Sequence, residues 1–78
     1  MAELYNVENS SNIKAIGYDP ESLTAICVFK NKFDLPTATW EYTGMSQEVF
    51  DEWLAAESKG RFFQSRVKKT YPGRKVEG

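Results

Sequence analysis

Apolar residues recur at two different periods along this chain, and the point where the period changes constrains what it can fold into. From Leu23 to Lys30 they alternate, with Leu23, Ala25, Cys27 and Phe29 on one face and Thr24, Ile26, Val28 and Lys30 on the other. From Thr37 to Thr43 they alternate again: Ala38, Trp40 and Tyr42 share one side, Thr37, Thr39, Glu41 and Thr43 the opposite one. After Gly44 the spacing becomes helical. Val49, Phe50, Trp53 and Leu54 fall on one face through about Glu57, and Glu48, Asp51 and Glu52 take the other. A chain that switches period in this way lays down a sheet and then covers it with helices.

The flanking segments complete the pattern. Asn12 to Tyr18 reads as a strand through Ile13, Ile16 and Tyr18, and Asp19-Pro20-Glu21-Ser22 has the residues of a type I turn. Asn31 to Pro36 is a loop longer than a tight hairpin needs, with Phe33 and Leu35 inside it. Ser46 is placed to cap the first helix, with Glu48 in the first turn where a negative charge suits the helix dipole. Ser58-Lys59-Gly60 breaks the pattern and caps a second helix from about Gly60 to Lys69. Its apolar face is Phe62, Phe63 and Val67; Arg61, Gln64, Ser65 and Lys68 project on the far side, with Lys59 and Arg66 at the flanks. Tyr71-Pro72-Gly73 stops it. The expected fold is therefore α+β: a three-stranded antiparallel sheet (β-β-β) followed by two helices packed on it. The domain spans residues 11–72, between an N-terminal leader, 1–10, and a basic C-terminal tail, 73–78. Leu4, Tyr5 and Val7 are the leader residues able to dock on the body.

At 78 residues the chain has room for one domain with a modest core. Its 41% hydrophobic content and eleven aromatic residues suffice to fold without staples. Cys27 is the single cysteine and has no disulfide partner within the chain; set between Ile26 and Val28, it reads as a small buried hydrophobe in a reducing compartment. The longest apolar stretch, Ala25 to Phe29, is far short of the roughly 20 residues a membrane-spanning helix requires. The N-terminus has no basic region leading into a hydrophobic run, so no secretory signal is read. A cytoplasmic location without membrane contact is expected.

Signals for catalysis are scarce. There is no histidine to act as general base or metal ligand. Cys27 lies in a strand with nothing to activate it. Glu48, Asp51 and Glu52 read as a solvated helix face, and no phosphate-binding glycine loop is present. No enzymatic activity, cofactor or metal site is expected.

Charge is the feature that bears on partners. Residues 1–57 carry ten carboxylates against Lys14, Lys30 and Lys32, a formal −7; residues 58–78 carry seven cations against Glu77 alone, a formal +6. Lys59, Arg61, Arg66, Lys68, Lys69, Arg74 and Lys75 can neutralise phosphates, and Tyr71 at the helix exit can stack on an unpaired base. These eight residues are the candidate nucleic-acid-binding set, for RNA or single-stranded DNA. A solvated basic face, or one turned against the acidic helix within the fold, accounts for the same residues. The alternative partner is a protein: the acidic body (Asp19, Glu21, Glu41, Glu48, Asp51, Glu52) suits a basic protein surface, as in a phage-encoded modulator of a host protein, and Ile26 and Val28 could self-associate if their face is open. The aromatic residues are spaced as core. Tyr42 is the least certain, because a Trp-Glu-Tyr strand on an open sheet face is a stacking platform.

Several segments together resemble the KTSC family, a short domain found at the C-terminus of some lysyl-tRNA synthetases and as free-standing proteins of bacteria and phages. The resemblance rests on Ser11-Asn12-Ile13 to Gly17-Tyr18-Asp19, the strand ending in Phe29-Lys30, the central Trp40-Glu41-Tyr42, Val49-Phe50 to Leu54-Ala55-Ala56, Ser58-Lys59-Gly60-Arg61-Phe62-Phe63, and Tyr71-Pro72. Trp40 stands where the family usually has a tyrosine, and the stretch from Asn31 to Thr37 looks longer than the family's connection. The resemblance implies no established activity; nucleic-acid binding is the conjecture it carries, with Ser58 to Phe63 as a marked segment.

Overall fold

The alternating segments pair as their periodicity requires. In the computed structural model of the chain, which describes residues 3–8 and 10–77, β2 (Ile13–Asp19), β3 (Thr24–Lys30) and β4 (Pro36–Thr43) form an antiparallel meander. The register sets Ile16 opposite Cys27 and Cys27 opposite Trp40, and sets Tyr18, Ala25 and Tyr42 in the adjoining row. Directly opposed residues point the same way, so these rows make one continuous apolar face. The turn between β2 and β3 is held by the Asp19 carboxylate, which accepts from the Glu21 N–H at 3.0 Å. Leu23 follows in a left-handed conformation, and its carbonyl accepts from the N–H groups of Gly44 and Met45. That ties the turn to the far end of β4, where Gly44 adopts a φ of 82° that favours glycine.

Two helices cover the apolar face. α1 (Gln47–Ala55) starts at Ser46, whose hydroxyl accepts from the Val49 N–H. α2 (Lys59–Phe62) starts at Ser58, whose hydroxyl accepts from the Arg61 N–H. It then continues as a π-helical turn, Phe63–Val67, closed by the Lys68 N–H donating to the Phe63 carbonyl at 2.8 Å. The second helix is thus not the uniform α-helix that simple spacing suggests, and the first ends at Ala55 rather than near Glu57. Ile13, Ile16, Cys27, Met45, Trp53 and Val67 are fully buried between sheet and helices.

The sheet has five strands, not three. Glu3–Asn6, expected in a leader, forms β1 and pairs with β2 from Glu3↔Tyr18 to Asn6↔Ala15. Gly73–Glu77, expected in a basic tail, forms β5 and pairs with β4 through Tyr42↔Gly73, Glu41↔Arg74 and Trp40↔Lys75. The sheet order follows the chain, β1-β2-β3-β4-β5. Both additions are edge strands. They satisfy backbone groups of the meander, and an edge position tolerates charged and exposed side chains that carry no alternating signal. Of the expected leader and tail, Met1, Ala2, Asn9 and Gly78 lie outside the described residues.

One buried hydrogen bond joins the sheet to the segment entering α1: the Tyr18 hydroxyl donates to the Met45 carbonyl at 2.5 Å. Tyr18→Phe removes the donor and is expected to destabilise the fold by about 1–3 kcal/mol, seen as a lower Tm with an unchanged far-ultraviolet circular dichroism spectrum. An unaltered Tm would mean that this bond contributes nothing.

Candidate nucleic-acid interface

Folding separates the eight candidate residues. Lys59 is half-buried at the helix joint, where its Nζ donates to the Ala56 carbonyl at 3.0 Å and its own carbonyl accepts from the Trp53 indole. Arg66 turns toward the acidic helix: it pairs with Glu52 at 3.8 Å, and its guanidinium lies 5.1 Å from the centre of the Phe62 ring. Arg74 pairs with Glu41 at 2.8 Å. These two residues oppose each other in register on the sheet face turned away from the helices, beside Ile26. Tyr71 is half-buried against the core, and its N–H donates to the Val67 carbonyl, which closes the helix end away from the cleft described below. Lys69 is exposed and lines neither of the concave surfaces described below.

Lys68, Lys75 and Arg61 are brought to a different place. Beyond the edge of the helices the apolar sheet face is only partly covered. Phe29, Trp40, Tyr42 and Phe63 line an open cleft of about 360 Å³ there, completed by Asn12, Gln64, Lys68 and Gly73. The rings brace one another. Phe63 meets Phe29 and Tyr42 edge-on with centroids 5.3 and 5.5 Å apart, and Trp40 stacks alongside Tyr42 at 6.4 Å. Gly73 is required for this: a Cβ there would stand 2.6 Å from the Tyr42 ring. Lys75 opposes Trp40 across β4 and β5, so it projects on the same face. Lys68 and Lys75 thus flank a half-buried indole, and among the described residues neither forms an ion pair.

Tyr42 supplies a polar group to this cleft. Its side chain is only 5% exposed, yet its hydroxyl makes no hydrogen bond to a described residue and is not sealed from solvent. Burial, and then the neighbouring Cys27, push its pKa up to about 12, so it remains a neutral phenol able to donate and accept. Burial also pushes the Cys27 thiol up to about 12, which keeps it protonated and unreactive.

A second concavity adjoins the first. It measures about 550 Å³ and is lined by Ser10, Ser11, Asn12, Ser58, Gly60, Arg61, Gln64 and Ser65. Asn12 and Gln64 border both. Elsewhere, Glu48, Asp51 and Glu52 form the exposed side of α1. Among the described residues no group of three or more His, Cys, Asp or Glu is placed to hold a metal, and no helix is long and apolar enough to cross a membrane.

Asn12, Phe29, Trp40 and Gly73 were not among the candidates read from sequence. Trp40 and Phe29 are spaced as core and do border it, and only the edge of the helical layer decides that their outer surfaces stay open. Of the Trp-Glu-Tyr strand, Tyr42 is buried as core, while Trp40 is half-buried and borders the cleft.

Comparison with known proteins places these features in a family. The model of the KTSC domain matches residues 9–71. A protein of Tsukamurella paurometabola is 44% identical over 59 residues, which cover 76% of this chain and 81% of that one. The crystal structure of a KTSC domain protein from Yersinia pestis is similar with a TM-score of 0.85 at 30% identity, over 97% of this chain and 99% of that one.

The raised pKa values of Cys27 and Tyr42 predict a pH dependence. In the unfolded chain they ionise near their ordinary values of 9.0 and 10.0, and in the folded chain only near about 12. Their contribution to stability is complete below the unfolded values and is lost as the pH rises toward the folded ones. Urea unfolding followed from about pH 8 to 11 should show a falling midpoint, and Cys27→Ala should flatten the lower part of that fall. A midpoint that holds constant across the range would contradict the assignment.

Proposed function

The chain belongs to the KTSC domain family, and on that premise we propose that it is a small non-catalytic binding module of the cytoplasm that engages single-stranded nucleic acid, RNA or single-stranded DNA. The observation that carries this reading is the cleft in which the half-buried Trp40 indole and Phe29 lie flanked by Lys68 and Lys75. A nucleobase stacks on such a surface whatever its identity, while the lysines neutralise the adjoining phosphates. Single strands suit it because a duplex hides the faces of its bases. The cleft volume of about 360 Å³ falls in the range of small-ligand pockets, about 300–1,000 Å³. The exposed carboxylates of α1 repel a polyanion and favour its approach from the cleft side. The absence of histidine from the sequence and the protonated state of its one thiol support a binding role.

The test is fluorescence polarisation of labelled single-stranded RNA, single-stranded DNA and duplex DNA at low and physiological salt. Affinity should fall with a slope of about −0.7 in log K against log salt for each phosphate neutralised. Trp40→Ala should weaken binding by about 5- to 100-fold, the equivalent of one stacked base. Lys68→Glu combined with Lys75→Glu should abolish binding, and Arg74→Ala, on the opposite face, should leave it near the unmodified level. Absence of binding at low salt overturns the reading.

A second reading, a protein-interaction factor such as a phage-encoded modulator of a host protein, has an observation of its own. The Asn31–Leu35 loop displays Phe33 at 70% and Leu35 at 59% exposure. The loop is nonetheless ordered by its contacts. The Asn31 Oδ1 accepts from the N–H groups of Phe33 and Leu35, and Asp34 is paired with Lys30 at 3.1 Å and Lys14 at 3.6 Å. A rigidly presented aromatic tip is the usual form of an interface anchor. This reading expects nuclease-resistant capture of a defined bacterial protein that Phe33→Ser abolishes; capture unaffected by that change counts against the loop.

A further inference from the structure

The aromatic cleft has a neighbour with which it shares Asn12 and Gln64, a groove of different chemistry. It is lined by four serines, Asn12, Gln64, Gly60 and Arg61, whose polar groups are hydroxyls, amides and one guanidinium, with no carboxylate and no ring. It cannot stack a base. It can accept hydroxyl groups and an anion.

Most of its hydroxyls are already committed to holding the walls in place. Ser10 Oγ accepts from the N–H groups of Ile13 and Asn12 and donates to Asn12 Oδ1. Ser58 Oγ accepts from the Arg61 N–H, and Ser65 Oγ donates to the Arg61 carbonyl at 2.9 Å. Gly60 faces the opposite wall, where a Cβ would lie at ordinary van der Waals distance, 3.5 Å from Ser10 Oγ and 3.7 Å from Asn12 Oδ1. Four groups remain. The Ser11 hydroxyl, the Asn12 Nδ2, the Gln64 amide and the Arg61 guanidinium make no side-chain hydrogen bond or ion pair among the described residues. They border a groove whose framework is fixed without them, so a ligand can pair with them without breaking an internal hydrogen bond, at the cost of ordering the longer side chains.

We propose that this groove holds the ribose and phosphate of the nucleotide next to the base stacked in the cleft, and that it makes the protein selective for RNA over DNA. The proposal rests on the reading of the cleft as a base-stacking site. Asn12 and Gln64, which border both concavities, stand where a strand passes from one to the other. Arg61 provides the charge for the phosphate. Ser11, Asn12 and Gln64 offer neutral donors and acceptors of the kind a ribose 2′-hydroxyl satisfies and a deoxyribose leaves without a partner.

The experiment compares oligouridine with oligodeoxyuridine of equal length, which carry the same base and differ at the 2′ position, by fluorescence polarisation at one salt concentration. The ribose strand should bind about three- to tenfold more tightly, the range of one hydrogen bond. The 2′-O-methyl strand should lose that advantage. Ser11→Ala, at an exposed position without a structural hydrogen bond, should lower affinity for the ribose strand more than for the deoxyribose strand. Saturable binding of both strands with equal affinity overturns the ribose subsite while leaving base stacking intact. Failure of both strands to bind overturns the stacking reading on which the subsite depends.

Discussion

The arrangement depends most on one side chain, Trp53. It is fully buried, and its indole N–H donates to the Lys59 carbonyl at 3.1 Å, so the last turn of α1 is fastened to the first residue of α2. A buried indole needs such a partner, and here the partner is the backbone of the joint itself. The same ring stacks against Phe62 and Phe63 at 6.3 and 6.1 Å and meets Phe50 edge-on. Phe63 in turn braces Tyr42 and Phe29. The cleft is therefore built outward from a helix joint rather than inward from the surface. Its aromatic floor holds its shape because the far side of that floor is core.

The π-helical turn has a similar reach. Closing the chain from Phe63 to Lys68 adds a residue to the turn, while Phe63 and Val67, four apart, both face inward as helical spacing requires. An ideal helix would carry Arg61, Gln64, Ser65 and Lys68 as one stripe. In the folded chain all four are exposed, yet Arg61 and Ser65 border the polar groove, Lys68 borders the aromatic cleft, and Gln64 borders both. Such turns occur often at functional sites. Here one lies between the two concavities.

Most of the scaffold was legible in the sequence because each part is announced by a local pattern. Period-two alternation marks β3 and β4, Asp19-Pro20 marks the turn, Ser46 and Ser58 cap the helices, and Phe50 with Trp53 faces inward. The edge strands were not legible. Glu3–Asn6 is exposed throughout and Gly73–Glu77 opens on glycine with two cations following; the register of their partners, not their own composition, makes them strands. That omission propagated into the site. Read as a tail, Arg74 and Lys75 are two neighbouring cations on one mobile segment. Read as β5, they point to opposite faces, one neutralised by Glu41 and the other beside Trp40. The places of Arg66 and Lys59 were not legible for the complementary reason, since no local pattern says which cation the acidic helix or the helix joint will claim.

Charge asymmetry along the chain thus resolves into separate tasks. Arg66 and Arg74 lie in exposed ion pairs, a kind worth roughly 0–1 kcal/mol, so their pairing says little about stability and much about which cations stay available to a ligand. The available set is small, but it adjoins residues drawn from the whole length of the chain: Asn12 before β2, Phe29 in β3, Trp40 in β4, Gln64 and Lys68 in the second helix, Gly73 in β5. A basic segment by itself attracts phosphate in any conformation, folded or not. Stacking cannot arise that way, because it needs β4, the phenylalanine at the helix joint and the glycine of β5 held together. Binding that disappears with the fold, while the number of positive charges stays constant, is therefore the property that separates a site from a composition.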